Sequence, residues 1–132
     1  MSERDIKRLR RLVQLNELLS ARQAMDIAAA RTEKIAAARD VEDLQGLLAS
    51  DGIVSASFSQ VALRRAARSR QRHSEIEAEL ATLLVAAVET RAAGAAFKSR
   101  LETRIGQRDK AAADIALQDV ADRAARKRKS SV

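Results

Sequence analysis

The stretch HSEIEAELATLLVAAVETRAAGAAFKSRL, residues 73–101, reads as one face of a long helix. Its apolar and small residues fall at His73, Ile76, Leu80, Leu83, Ala87, Thr90, Gly94, Phe97 and Leu101. The steps alternate three and four, which is the a/d seam of a heptad repeat. Beyond Leu101 the seam continues through Ile105, Arg108, Ala112, Ile115, Asp119 and Asp122. Two consecutive steps of four, ending at Ile105, form a stutter at which a supercoil relaxes locally. The stripe is narrow and rich in small residues, so this helix needs a partner helix rather than a broad globular core.

Working outward, residues 1–49 supply that partner. An apolar stripe runs Ile6, Leu9, Leu12, Leu15, Leu18, Met25, Ala28, Ile35, Val41, Leu44 and Leu48. From Leu18 the steps through Ala21, Met25, Ala28, Thr32 and Ile35 again alternate three and four, predicting this as the facing seam. Val13 and Leu19 widen the stripe near the amino end. Either Ser2 or Asp5 can cap the helix. Between the helices, Ser50, Asp51 and Gly52 form a turn cluster, and Gly52 suits the left-handed residue that ends a helix. Ser57 with Gln60 has the spacing of a capping box and predicts the start of the second helix. Gly94 sits on the seam, where a missing side chain lets two backbones approach.

The expected fold is therefore all-α: a long antiparallel two-helix coiled-coil hairpin with an overhanging C-terminal helix. Helix one spans about 5–49, the connection 50–57 and helix two about 58–127, in a single domain. With residue 49 facing residue 59, the acidic Asp40, Glu42 and Asp43 lie opposite the basic Arg64, Arg65 and Arg68. Arg31 and Lys34 likewise lie opposite Glu75, Glu77 and Glu79. Such flanking charges contribute little stability but select orientation and register. In this register everything from Thr103 onward projects past its partner, and an apolar stripe left bare marks a binding surface.

Composition agrees. Of 132 residues 33% are charged and only 2% aromatic, with no proline, which is the profile of long helices. No cysteine is present, so disulfide and thiolate chemistry are excluded. The single histidine, His73, has no second histidine or cysteine with which to build the usual zinc site. The four glycines stand apart and form no phosphate loop. Acidic residues recur among Lys and Arg on helix faces, as on a solvated surface, and not as a catalytic pair. No enzyme activity and no cofactor are expected. No apolar run approaches the length of a bilayer span and no signal peptide is visible, so the expected location is cytoplasmic or peripheral at the inner face of the cell membrane.

The net charge of +7 is the strongest chemical signal. It resides in clusters at Arg4–Arg11, Arg64–Arg72 and Arg123–Lys129, the terminal two of which are expected to meet at the open end of the hairpin. A basic helical end suits an acidic partner: nucleic acid, an anionic membrane surface or an acidic protein pore. Stacking aromatics for single strands and a recognition helix for a major groove are both missing.

A small helical hairpin with basic termini and an overhanging second helix resembles the FliJ family of flagellar type III export and its YscO-type injectisome counterparts. Residues 6–15, IKRLRRLVQL, look like the family's amino-terminal helix, and residues 117–127, LQDVADRAARK, like its carboxy-terminal tail. The resemblance implies a stalk protein with no chemistry of its own. Its paired termini would enter the pore of a hexameric export ATPase, through Arg8, Arg11, Leu12, Ile105, Ile115, Val120, Arg123, Arg126 and Lys127. It further implies contact with a membrane-embedded export gate and escort of export chaperones. Neither a small-molecule substrate nor nucleic acid is an expected partner. The competing classes are a basic nucleic-acid-associated helical protein and a structural coiled-coil homo-oligomer or other adaptor.

Overall fold

The computed structural model describes residues 2–49 and 56–130. Those residues form two α-helices, α1 (Ser2–Ala49) and α2 (Ala56–Ser130). The protein is an all-α helical hairpin whose two long helices pack on one another. The turn cluster at Ser50, Asp51 and Gly52 lies outside the described residues. α2 is already helical at Ala56, so Ser57 is inside the helix and not its cap. The chain divides into two compact units, Met1–Glu17 with Ala92–Val132 (unit 1) and Leu18–Arg91 (unit 2).

In unit 2 the helices run antiparallel. Gln23 bonds Thr90, Lys34 pairs with Glu77, and Asp40 pairs with Arg65, so position falls along α2 as it rises along α1. The core has two patches. Ile27, Ala30, Ile76 and Leu80 form one, with Leu83 and Ala87 packed against it; Leu44, Ala62 and Ala66 form the other, capped by Leu48. On α2 the expected seam holds, since His73, Ile76, Leu80, Leu83, Ala87 and Thr90 are all buried or half-buried.

On α1 the expected seam is corrected. Between positions 18 and 37 the buried and half-buried residues are Ser20, Gln23, Ile27, Ala30, Lys34 and Ala37, which also step by three and four. Farther along the helix the expected Val41, Leu44 and Leu48 do face inward. The more apolar stripe turns outward: Leu18 is 68% exposed, Met25 73% and Ile35 53%. The physical reason lies in α2, whose narrow seam of Leu and Ile meets small partners. Ala30 and Ile27 pack against Ile76 and Leu80, small beside large, as a close-packed interior requires. One polar group is left over. Gln23 Nε2 donates to Thr90 Oγ1 at 2.9 Å, while Gln23 Oε1 is buried with no hydrogen-bond partner.

In unit 1, Glu3 pairs with Arg108 at 3.1 Å and Glu17 with Lys98 at 3.8 Å, so pairing is again antiparallel. Ile6 is fully buried, and Leu9, Leu12, Val13, Phe97, Leu101, Ile105 and Arg108 are half-buried. The seam thus takes both steps of four, from Phe97 to Leu101 and on to Ile105. Gly94 is buried against Asn16, and a Cβ at Gly94 would collide with the Asn16 side-chain oxygen. The expected register would have placed Ala92 opposite Asn16, so the helices are slid by about half a turn. That slide, together with a helix that begins at Ser2, carries the pairing out to Arg108. Ile105 does not overhang. The unpaired helix begins at 109, and every residue from 109 to 130 is exposed.

The expectation that no segment has the length and apolarity of a bilayer span is also revised. α2 contains an 18-residue stretch, 80–97, that is apolar enough by length and composition alone. Glu89 and Arg91 sit near its middle, where charge is costly in hydrocarbon.

Candidate partner-binding surface

The register-setting charges come together only in part. Asp40 accepts from Ser69 Oγ at 2.5 Å and from Arg65 Nη2 at 3.1 Å. The Ser69 hydroxyl, foremost, and the Arg65 guanidinium hold the Asp40 carboxyl below the usual aspartate value, against a smaller opposing effect of burial. Among the described residues Glu42, Asp43, Arg64 and Arg68 form no ion pair. Glu42 lies off the flank that Asp40 occupies, because a two-residue step rotates by more than half a turn. Lys34 does meet Glu77, at 3.4 Å.

The strongest cluster was not anticipated. Arg72 binds Glu33 at 2.6 Å across the seam and reaches Glu75 at 3.4 Å and Glu79 at 3.3 Å along its own helix. Glu33, first, and then its acidic neighbours raise the Arg72 pKa. Part of the sequence signal was available: Arg72 with Glu75 has the three-residue spacing of helical ion pairs, and Glu79 lies two turns on from Arg72 along the same face. Only the correct register adds Glu33.

Of the residues expected at a partner surface, Arg8 and Leu12 line an open groove in unit 1 together with Arg100 and Arg104. Asp5, Leu9, Ser99, Thr103 and Gln107 also line it, so the groove brings three arginines and two leucines together. Arg11 is exposed. Ile105 is half-buried in the seam and is not available to a partner without unpacking. Arg108, one turn on, is held by Glu3 and by Asp109 at 3.4 Å.

Ile115 and Val120 are each 63% exposed, and Arg123, Arg126 and Lys127 lie wholly in solvent-facing positions. These five do not share one face. Ile115 and Val120 are five residues apart, about 140° around a helix. Leu117, 68% exposed and outside the set expected to contact a partner, is the residue that shares the Val120 face, with Ala113 and Ala124 along the same line. The two terminal basic clusters do not meet either. Arg123 lies fifteen residues past Arg108, the end of the paired region, or roughly 22 Å along the helix axis.

The surface is therefore an amphipathic helix with an apolar line of Ala113, Leu117, Val120 and Ala124, ending in Lys127, Arg128 and Lys129. Among the described residues no cluster of three His, Cys, Asp or Glu side chains is placed to hold a metal ion. No described protein family, no curated protein and no solved structure matches the chain.

Proposed function

We propose that this chain is a coiled-coil stalk or adaptor of a type III, flagellar-type export apparatus, acting without chemistry of its own. The observation that supports this reading is the unpaired stretch 109–130, which leaves Leu117 and Val120 bare beside a run of basic residues. A phosphate-backbone binder uses the charge and leaves the apolar line with nothing to bury against. An acidic protein pore uses both. In this reading the ring of a hexameric export ATPase takes the 109–130 helix and the Arg8, Arg100, Arg104 groove. The export gate and export chaperones, which the FliJ-like resemblance implies as further partners, have no residues assigned to them.

The test uses the full chain with the purified export ATPase ring. Leu117→Ser with Val120→Ser should abolish association with the ring and stimulation of ATP hydrolysis while leaving helicity unchanged, since neither side chain packs in the hairpin. Unchanged ring binding sinks the proposal. If instead neutralising Arg123, Arg126 and Lys127 removes DNA affinity with a steep salt dependence, the chain is a nucleic-acid-associated protein.

A further inference from the structure

The two flanks of the seam in unit 2 differ in kind. One carries the ion pairs of Arg72 with Glu33 and of Arg65 with Asp40. The other carries an exposed pair, Lys34 with Glu77 at 3.4 Å, beside a groove, so that Glu77 is shared between Lys34 and any charge brought to this groove. The groove walls include Ile35 and Ala38 from α1 and Ala81 and Leu84 from α2. Seven-residue repeats extend those walls, placing Ala28 at the Ile35 position and Val88 at the Ala81 position. Ile35 is 53% exposed and Val88 66%. Among the described residues no third element covers this flank.

We propose that a second copy of this chain covers it, two hairpins forming a four-helix bundle about a two-fold axis parallel to the helices. The argument for a second copy is charge. Arg31 and Glu77 line this groove, and Arg70 lines its continuation beside Ala38. Glu42 follows Ala38 by one helical turn on the same flank. Among the described residues Arg31, Glu42 and Arg70 form no ion pair.

A parallel two-fold preserves the level of each residue along the bundle. It lays α1 of one copy against α2 of the other, in the antiparallel sense already used within the chain. The pairing of Lys34 with Glu77 and of Asp40 with Ser69 fixes those levels. Arg31 then lies beside Glu77 of the second copy, and Glu42 beside its Arg70. Both pairs occur twice, and both flank the Ile35, Ala38, Ala81 and Leu84 stripe. A patch that carries both signs at matching levels is complementary to itself, which an apolar patch meeting an arbitrary partner has no need to be. This dimer rests on unit 2 alone and does not depend on the export reading.

The test is the mass of the full chain by sedimentation equilibrium at micromolar concentration. The expected result is twice the 14.4 kDa of one chain. Ile35→Glu with Leu84→Glu should return the monomer mass with the helical circular dichroism intact. Charge reversal provides a second reading that does not touch packing. Glu42→Arg alone and Arg70→Glu alone should each raise the dimer dissociation constant by roughly tenfold or more. An equimolar mixture of those two variants should associate as tightly as the native chain, because one mixed dimer restores an opposite-charge contact at both places. A monomer throughout overturns the proposal. So does a dimer indifferent to the Ile35 and Leu84 substitutions, or a mixture that associates no better than either variant alone.

Discussion

Within unit 2 the two helices obey different rules. On α2 the most apolar heptad stripe is the buried one, ending in Ile76 at 0% exposure and Leu80 at 8%. On α1 between positions 18 and 37 the most apolar stripe, Leu18, Met25 and Ile35, faces out, and a seam of serine, glutamine, lysine and alanine with Ile27 faces in. Helix pairing here is decided by fit. Ile76 and Leu80 of α2 meet Ala30 and Ile27 in one patch, and the roles reverse in the next, where Leu44 of α1 meets Ala62 and Ala66.

The largest effect expected from this contrast is on stability. Leu80→Ala should cost about 2–4 kcal/mol, as a buried leucine truncated in a core that collapses only partly. Met25→Ala, on the outward stripe, should cost less than about 0.5 kcal/mol in the monomer. Urea titration of the two variants measures both, and equal losses would mean that α1 uses its apolar stripe after all.

Next in size is Gly94→Ala in unit 1. Its new methyl meets the end of the Asn16 side chain, which has to turn away from its own contacts, at a cost of about 1 kcal/mol. Combining it with Asn16→Ala should recover part of that loss. At Gly106, where a Cβ meets nothing within 4 Å, alanine should stabilise by up to about 1 kcal/mol through helix propensity. A similar sign is expected at Gln23. Gln23→Leu removes a buried oxygen that has no partner, while Thr90 keeps its bond to the Ala86 carbonyl at 2.9 Å. Thermal melting should show it neutral to about 1 kcal/mol more stable, whereas a loss above that would show that the Gln23 bond to Thr90 is needed.

The smallest effect separates the charged flank from the apolar one. Asp40 has a lowered pKa in the folded chain, so its contribution is present at neutral pH and is lost as pH falls below the ordinary carboxylate range toward the lowered value. Asp40→Asn should lower the neutral plateau slightly and leave the acid end nearly unchanged, which flattens the limb between them. Ile35→Ser, on the other flank, should show no such acid dependence.

The architecture was legible because the α2 seam is the one place where hydrophobicity and period agree without a competitor. The α1 seam was legible at its ends, through Ile6, Leu9 and Leu12 and through Val41, Leu44 and Leu48. Between 18 and 37 it was not, because two heptad stripes lie on the helix there and only contact with α2 ranks them. The same ambiguity displaced the register. Charge matching could not correct it, since Lys and Arg reach far enough to satisfy Glu77 or Asp40 at either setting. At the partner surface the basic residues were evident from composition. Leu117 lies on the projecting helix but was not chosen as a contact, because extending the seam period past Arg108 selects Ile115 and the acidic Asp119, when no partner helix remains to impose that period.

The 109–130 helix has a thermodynamic consequence of its own. Every residue of it is exposed, so its order depends on backbone hydrogen bonds and on its alanines rather than on tertiary packing, the source of most helical stability in proteins. Its amide protons should therefore exchange with solvent orders of magnitude faster than those around Ile27 and Ile76. Opening there is a helix–coil event rather than an unfolding of the hairpin. Trypsin should accordingly clip at Arg123 and Arg126 while the paired helices remain whole. A partner that clasps this segment would be read most directly as a slowing of that exchange.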